Sequence, residues 1–238
     1  MKHLIYIYCY NTEVLDEFIE NCYPLVETFD WVDLHIDFCK ETINQNLIDK
    51  IKNKRITYGI VENRGMDVLP YIKYLYDNVL NSNKYSVITK IHSKMRDNGI
   101  RKTAYIPLVS NIKKFEEFHK LIEESKVPII LNNQYMVEDR VEKKIEVILK
   151  DMNVILKLKN ESGKFFHATM FMTSKLYMNK LFNVEYKDIE YKFEKGKPGY
   201  GYVHVMERLF GYAVEEYGGK LEIFNSDIKF NKTHKGII

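Results

Sequence analysis

ENRGMDVLPYIKYLYDNVLNSNKYSVITKIHSK, residues Glu62–Lys94, decides how the rest of the chain is read. Two dense polar clusters, Glu62–Asp67 and Lys90–Lys94, are joined by a segment whose apolar residues Val68, Leu69, Ile72, Leu75, Tyr76 and Val79 fall at helical spacing. Asp67 suits the N-cap of that helix and Pro70 its first turn. Tyr85–Thr89 follows as a β-branched and aromatic strand that runs straight into Lys90, His92 and Lys94. The unit is loop, helix, strand, and the carboxyl end of a buried strand is where open α/β sheets hold their ligands.

Upstream, the same alternation continues. His3–Cys9 is a near-continuous apolar run of the kind that fills the middle of a parallel sheet. Val14–Val26 places Leu15, Phe18, Ile19, Cys22 and Leu25 at helical spacing, and Asp33–Phe38 alternates as a strand. A helix over Asn44–Lys52 then leads to a strand over Ile56–Val61. This order predicts an α/β sheet with right-handed crossovers. Downstream, Met95–Thr103 is charged, contains Gly99 and lacks a period, which predicts a mobile loop near the site. Helices are expected over Asn111–Ser125, Leu176–Phe182 and Tyr200–Tyr217, the last stopped by Gly218 and Gly219, with strands over Val127–Leu131 and Leu221–Phe224. Asp139–Lys150 reads as an exposed charged helix and Phe165–Met172 as a buried strand or turn. Tyr186–Pro198 reads as a polar loop and Lys229–Lys235 as a flexible basic tail.

A chain of 238 residues, 45% hydrophobic and 29% charged, is an ordinary globular composition able to bury one large core, and a single domain over 1–238 is expected. The net charge of +3 fits a phosphate-bearing ligand or an anionic membrane surface, and equally a protein that binds neither. A nucleic-acid binder would need a continuous basic stripe with interleaved aromatics, which the balanced acidic content argues against. The three cysteines, Cys9, Cys22 and Cys39, lie in apolar contexts without C-x-x-C spacing, so neither a disulfide framework nor a zinc site is suggested and a reducing cytoplasm is the simplest setting. Met1–Cys9 lacks a cleavage signature and reads as a first strand; no stretch has the length of a membrane span, so membrane contact would be peripheral.

Three constellations carry possible chemistry. Asn63, Arg64, Gly65 and Asp67 fit a phosphate or ribose loop: glycine lets the backbone turn, the helix start favours anions, and arginine can clamp an oxyanion. They also fit a plain capped connection from strand to helix. Lys90, His92 and Lys94 share one face of an extended chain. If they converge, their repulsion calls for an anion such as a diphosphate; on a solvent-exposed strand end they never meet. His204, Glu207 and Arg208 lie on the last long helix, beside a stripe of Val203, Met206, Phe210, Ala213 and Tyr217. Desolvation there would suit Glu207 to general-base work, whereas an ion pair with Arg208 or a nearby lysine would be structural. His167, a lone histidine beside an apolar run, reads as a core residue.

In order, HLIYIYCYN (3–11), ENRGMDVLPYI (62–72), YSVITKIHSK (85–94), FFHATMFM (165–172) and HVMERLFGY (204–212) resemble the rhamnan synthesis protein F family of polysaccharide-assembly glycosyltransferases. The corresponding family pieces look like N-R-G-R-D-x-x-P-F, K-x-H-x-K, G-x-M-F-W and H-x-x-E-R-L, and the likeness runs from the first strand to Gly219. Met66 stands where the family usually has Arg, and the 167–171 segment lacks the usual small residue and Trp.

That resemblance implies a GT-A-like, Rossmann-like plan: a mixed, mostly parallel sheet flanked by helices, with residues 1–131 as the nucleotide-sugar-binding half and 132–238 as the acceptor and catalytic half. Many such enzymes hold a divalent metal on a D-x-D motif at the strand end. Here Lys90-Ile91-His92 occupies that place, and lysine does not bind hard cations, so the resemblance implies no metal or other cofactor, with Lys90 and His92 neutralising the departing diphosphate. By the same likeness Glu207 would be the catalytic base, and Asn11 and Asp37 would lie near the base or ribose. Asn63, Arg64, Gly65, Asp67, Lys94, His204 and Arg208 would contact substrate, and His234 with Lys235 would close over the diphosphate. The implied reaction moves a hexose or deoxyhexose, of rhamnose or galactose type, from a nucleotide diphosphate sugar to a lipid-linked or oligosaccharide acceptor, in the cytoplasm or at the inner face of the membrane. The other reading of the same residues is a non-catalytic sugar-nucleotide or glycan-binding module.

Overall fold

A computed structural model of the chain describes residues 1–93, 98–125, 127–132, 136–138, 143–158, 164–166, 169–193, 201–216 and 221–224. Its frame is a seven-stranded sheet. The first four strands, β1 (Lys2–Cys9), β2 (Val32–Cys39), β3 (Ile56–Val61) and β4 (Tyr85–His92), pair in parallel in the spatial order β3-β2-β1-β4. Three more complete the sheet: β5 (Ile129–Asn132), β8 (Phe171–Ser174), antiparallel to both β4 and β5, and β9 (Leu221–Phe224), parallel to β5. β6 (Met136–Glu138) and β7 (Lys164–Phe166) form a separate antiparallel pair. The α/β class with a mixed, mostly parallel sheet is the one the sequence implies.

The apolar runs make these strands central because both faces of the sheet are covered. Leu4, Tyr6 and Tyr8 of β1 enter one core and Ile5, Ile7 and Cys9 the other, so every second residue on either side must be apolar or internally paired. The face of Ile5 is covered by α1 (Leu15–Thr28), α2 (Gln45–Ile51), α4 (Asn98–Val109) and α5 (Ile112–Glu123), through residues such as Phe18, Leu47, Tyr105 and Phe115. The face of Tyr6 is covered by α3 (Val68–Leu75), α6 (Lys143–Leu156), α7 (Lys175–Leu181), α8 (Tyr186–Glu190) and α9 (Tyr202–Glu216). Asn44, Asn111 and Ser174 cap α2, α5 and α7 by accepting from the backbone N–H groups of Leu47, Lys114 and Tyr177.

The strand order also locates a crevice. The chain steps outward from β1 to β2 to β3 and then returns across β1 to place β4 on its other side, so the carboxyl ends of β1 and β4 border the switch point where open α/β sheets bind ligands.

Some segments differ from expectation. The stretch 95–103, expected as a mobile loop, is helical from Asn98 onward. Charge hides this helix: Arg101 is only 2% exposed and donates through Nε and Nη2 to Glu17 of α1 at 3.0 and 2.7 Å, an inward ion pair that interrupts the apolar period. The polar loop expected at 186–198 begins as α8. The helix expected as exposed over 139–150 is α6, and it buries Met152 and Leu156 beyond the expected end. Gly218, Gly219 and the basic tail lie outside the described residues. Among the described residues no helix is long and apolar enough to cross a membrane.

Candidate active site

The crevice at the carboxyl ends of β1 and β4 is stitched by backbone groups. The Ser93 N–H donates to the Tyr8 carbonyl at 3.0 Å, and the Asn11 N–H donates to the Ser93 hydroxyl at 2.7 Å. Asn11 turns its side chain to the backbone, accepting from the Glu13 N–H at 3.3 Å.

The loop from β3 to α3 enters this crevice through two consecutive left-handed residues, Gly65 (φ 67°) and Met66 (φ 51°). Gly65 is obligatory: a Cβ there would meet Leu69 Cβ at 2.5 Å and Phe193 Cδ1 at 2.7 Å. Past this bend, Asp67 does not cap α3 with its side chain, contrary to expectation. Its carboxylate turns inward instead, and its Oδ2 accepts from the Lys90 ammonium at 2.5 Å and from the Thr169 hydroxyl at 3.0 Å, with His92 Nε2 at 3.9 Å. Burial pushes the Asp67 carboxyl up, but the charges of His92 and Lys90 and the hydrogen bonds from Lys90 and Thr169 outweigh it and hold the group well below the usual carboxylate range.

Lys90 is 0% exposed; its ammonium also donates to the Thr169 carbonyl at 3.0 Å and lies 5.5 Å from the centre of the Tyr71 ring. The counter-charge expected from a bound diphosphate is thus supplied to Lys90 by the chain itself. The Thr169 hydroxyl lies 3.3 Å from His92 Nε2. With its one proton given to Asp67, that hydroxyl can only accept from His92, which places a proton on Nε2. Thr169 adopts φ 45°, a strained conformation for a β-branched residue, where it brings hydroxyl and carbonyl to bear on one ammonium.

A second polar group lies on the same sheet face, over β2. Asp37 accepts from the Tyr6 hydroxyl at 2.8 Å through Oδ2 and meets His35 Nε2 at 3.0 Å through Oδ1; His35 Nδ1 reaches the Thr57 hydroxyl at 2.9 Å. Burial and the charge of Asp37 push the Tyr6 hydroxyl pKa well up. Gly59 makes room for this carboxylate, since a Cβ there would lie 2.3 Å from Asp37 Oδ1. These residues border a cavity of about 440 Å³ that Tyr74, Lys73 and Lys84 also line.

The remaining expected residues divide. The Asn63 Oδ1 accepts from the Tyr8 hydroxyl at 3.3 Å, at the mouth of the crevice. Arg64 points its guanidinium into the chain: Nε and Nη2 donate to the carbonyls of Phe193 and Glu190, both at 2.8 Å, so it fastens the end of α8 to the loop. Glu207 is 13% exposed by its side chain and lies 3.5 Å from His204 Nδ1, while Arg208 donates to the His204 carbonyl at 2.9 Å. Lys94, His167, His234 and Lys235 lie outside the described residues. The structure thus joins Asp67, Lys90 and His92 in one cluster, sets Asn11 and Asn63 on the bonds that tie the strand ends, and groups His204, Glu207 and Arg208 on α9. Sequence reasoning gave no role to Thr169, Ser93 or Tyr8, although each lies in a stretch it singled out, and the pairing of Thr169 with Asp67 spans 102 positions, beyond any local pattern.

Among the described residues no three His, Cys, Asp or Glu side chains are grouped as a metal ion would require, and the one inward carboxylate of the crevice is occupied by Lys90.

No protein-family model matches the sequence, and no curated protein sequence does. Among solved structures, the chain is similar to S. aureus TarS residues 1–349 in complex with UDP-GlcNAc, at 14% identity and a TM-score of 0.47, over 96% of this chain and 57% of that one. It is also similar to the mannosyltransferase PcManGT from Pyrobaculum calidifontis with GDP-Man and Mn2+, at 9% identity and a TM-score of 0.45, over 94% and 55%. A third is core-mannan synthase A (CmsA/Ktr4) from Aspergillus fumigatus in its Mn/GDP form, at 11% identity and a TM-score of 0.45, over 94% and 73%. Two of these neighbours are a mannosyltransferase and a core-mannan synthase, and this chain spans little more than half the length of the first two. The last two correct one expectation: both were solved with manganese, and the inference that no divalent metal takes part is withdrawn.

Proposed function

We propose that the chain is a glycosyltransferase that moves a hexose or deoxyhexose, of rhamnose or galactose type, from a nucleotide diphosphate sugar to a growing surface polysaccharide, as the likeness to the rhamnan synthesis protein F family implies. The observation that carries this reading is the position of the Asp67–Lys90–His92–Thr169 cluster at the switch point between β1 and β4. A buried, fully satisfied ion pair there holds a rigid, polar strand end against which a diphosphate can be set.

In the proposed reaction the bond from the anomeric carbon to the diphosphate breaks and its electron pair leaves with the diphosphate. The acceptor oxygen forms the new bond to that carbon, and its proton passes to Glu207. His92 meets the leaving diphosphate directly, while Lys90 acts through Asp67, fixing its charge and orientation. Asn11, Asn63 and Asp37 contact the nucleoside, and residues 132–238 supply the acceptor side. The acceptor is lipid-linked or an oligosaccharide, presented at the inner face of the membrane.

Isothermal titration with UDP, GDP and dTDP and their sugars tests the reading: at least one binds, and binding of none overturns it. Glu207→Gln is expected to spare donor binding and slow transfer by about 10²–10⁴-fold, the usual contribution of a general base. Equal loss of binding and transfer would make Glu207 structural.

A further inference from the structure

α3 does not end as an ordinary helix. After Leu75 the chain continues as a π-helix over Tyr76–Leu80, a rare form that is frequent at functional sites. This turn forms one wall of an open groove of about 1070 Å³, whose other wall is the connection from α7 to α8 with α8 and Tyr191. The Tyr76 hydroxyl shares its one proton between the carbonyls of Val184 and Phe182, at 2.8 and 3.1 Å, so the π turn pins the facing backbone and fixes the width of the groove.

The lining has a distinct chemistry. Tyr191 is exposed over 65% of its surface, and Tyr186 lines the same wall. Asn81 and Asn183 add amides, and Glu185 and Asp188 add carboxylates, against Lys157 in the lining; Lys192 and Lys73 lie 4.8 and 5.7 Å from the Tyr191 and Tyr186 ring centres but are each paired with a carboxylate, Asp151 and Asp77. Flat aromatic rings, amides and carboxylates without a cationic cluster do not suit a phosphate, a nucleotide or a nucleic acid, each of which calls for converging Lys or Arg. They do suit a neutral polyhydroxylated ligand, whose C–H faces lie on aromatic rings while its hydroxyls bond amides and carboxylates.

The groove also has a direction. At one end α8 is fastened by Arg64 to the loop that carries Asp67; at the other lies Asn81, past the eight residues of α3 and five of the π turn. No α3 residue lines the groove, so this span is its distance from the crevice and not its own length: at helical rise roughly 20 Å separate Asp67 from Asn81, which sets a ligand seated in the groove several sugar units back from the crevice. We propose that this groove binds the stem of a neutral oligosaccharide, several residues back from its reacting end. It deepens the reading of the chain as a glycosyltransferase, and rests on that reading for the idea that the bound glycan is the acceptor.

The test uses neutral hexasaccharides of rhamnan, galactan, glucan and mannan, with the matching monosaccharides and the free nucleoside diphosphates, by isothermal titration on the full chain. At least one hexasaccharide is expected to bind more than tenfold tighter than its monosaccharide. Tyr191→Ala and Asn183→Ala, both at exposed positions, are each expected to weaken it at least fivefold and to leave nucleoside diphosphate binding unchanged. Failure of every hexasaccharide to bind, binding that neither variant weakens, or tighter binding of a sulfated hexasaccharide overturns the proposal. Glycan binding lost in Tyr191→Ala without any nucleotide binding would sustain the groove and overturn the transferase reading instead.

Discussion

The two ends of the sheet bury histidine in opposite ways. At the amino end, on the face of α5, His3 and His119 meet through their Nδ1 atoms at 3.3 Å; His3 Nε2 reaches the Thr89 hydroxyl at 2.7 Å and His119 Nε2 reaches Glu123 at 3.2 Å. Trp31 stacks on His119 and Phe115 on His3, with ring centres 4.3 and 4.5 Å apart. A consistent proton order runs through this chain with both imidazoles neutral: Thr89 donates to His3, His3 to His119, and His119 to Glu123. At the carboxyl end, under α3, the buried groups are ionised: Lys90 and Asp67 form a contact pair, joined by Thr169 and His92. Neutral burial among aromatics packs a core; charged burial costs desolvation and leaves a fixed, oriented charge distribution, which is the form a ligand site takes.

The sharpest way to break this contrast is to remove one charge. Lys90→Met leaves Asp67 buried and unpaired and is expected to cost about 3–5 kcal/mol in urea unfolding. The double variant Lys90→Met with Asp67→Leu is expected to regain most of that loss, because no orphan charge remains. A single variant costing less than about 1 kcal/mol would mean that water reaches the pair and the cluster is not a dry site. Between the two ends, Gly59→Ala probes the Asp37 group: the added methyl meets Asp37 Oδ1 at 2.3 Å and must displace it, for about 1–3 kcal/mol of overpacking, with donor binding lost in proportion if Asp37 contacts the nucleoside.

Acid separates the ends by the order in which they fail. Burial and the neighbouring His119 hold the His3 pKa well below its ordinary value, and burial lowers His119 despite Glu123, with Glu116 and the amino terminus also facing it. The unfolded chain therefore takes up more protons than the folded one as pH drops below about 6.5, so stability present at neutral pH is lost there, at about 1.4 kcal/mol per unit of displacement. Asp67 fails in the same direction but at lower pH: its depressed folded value contributes stability above the ordinary carboxylate range, and that stability is lost only as pH falls through that range and below. Chemical unfolding followed from pH 7.5 to 4.5 should show a fall that His3→Gln with His119→Gln flattens and Asp67→Asn does not. An equal slope in both variants would show that the histidine pair is not what titrates.

Much of the frame was legible because it is local. β1 needs only its own run of apolar residues, and α1 and α9 only the 3.6-residue period. α4 was not, because Arg101 spends its charge on Glu17, 84 positions away, and so sits in the core where the period calls for an apolar side chain. The candidate site was legible in its members but not in its pairings. Asp67, Lys90 and His92 stand out as polar residues flanking a helix, yet whether Lys90 faces solvent, a diphosphate or Asp67 depends on β4 lying beside β1 and on Thr169 arriving from just before β8, which no window of sequence contains. Arg64 misled for the same reason: the carbonyls it holds belong to residues 190 and 193.

The smallest effect expected is the most discriminating between packing and site. The Tyr71 hydroxyl is buried and has no hydrogen-bond partner among the described residues, while its ring packs against Tyr6, Phe171 and Phe210 and under the Lys90 ammonium. Removing an unsatisfied buried hydroxyl removes a desolvation cost, so Tyr71→Phe is expected to leave stability unchanged or raise it by up to about 1 kcal/mol. Tyr6→Phe is the control, since its hydroxyl donates to Asp37 at 2.8 Å and its loss strips a buried carboxylate of a donor, for about 1–3 kcal/mol. If Tyr71→Phe proves neutral in unfolding yet weakens nucleotide binding, that hydroxyl belongs to the ligand and the site extends under α3. If it destabilises as much as Tyr6→Phe, the hydroxyl has a partner in the folded protein, and the face around Lys90 is wetter than a dry ion pair allows.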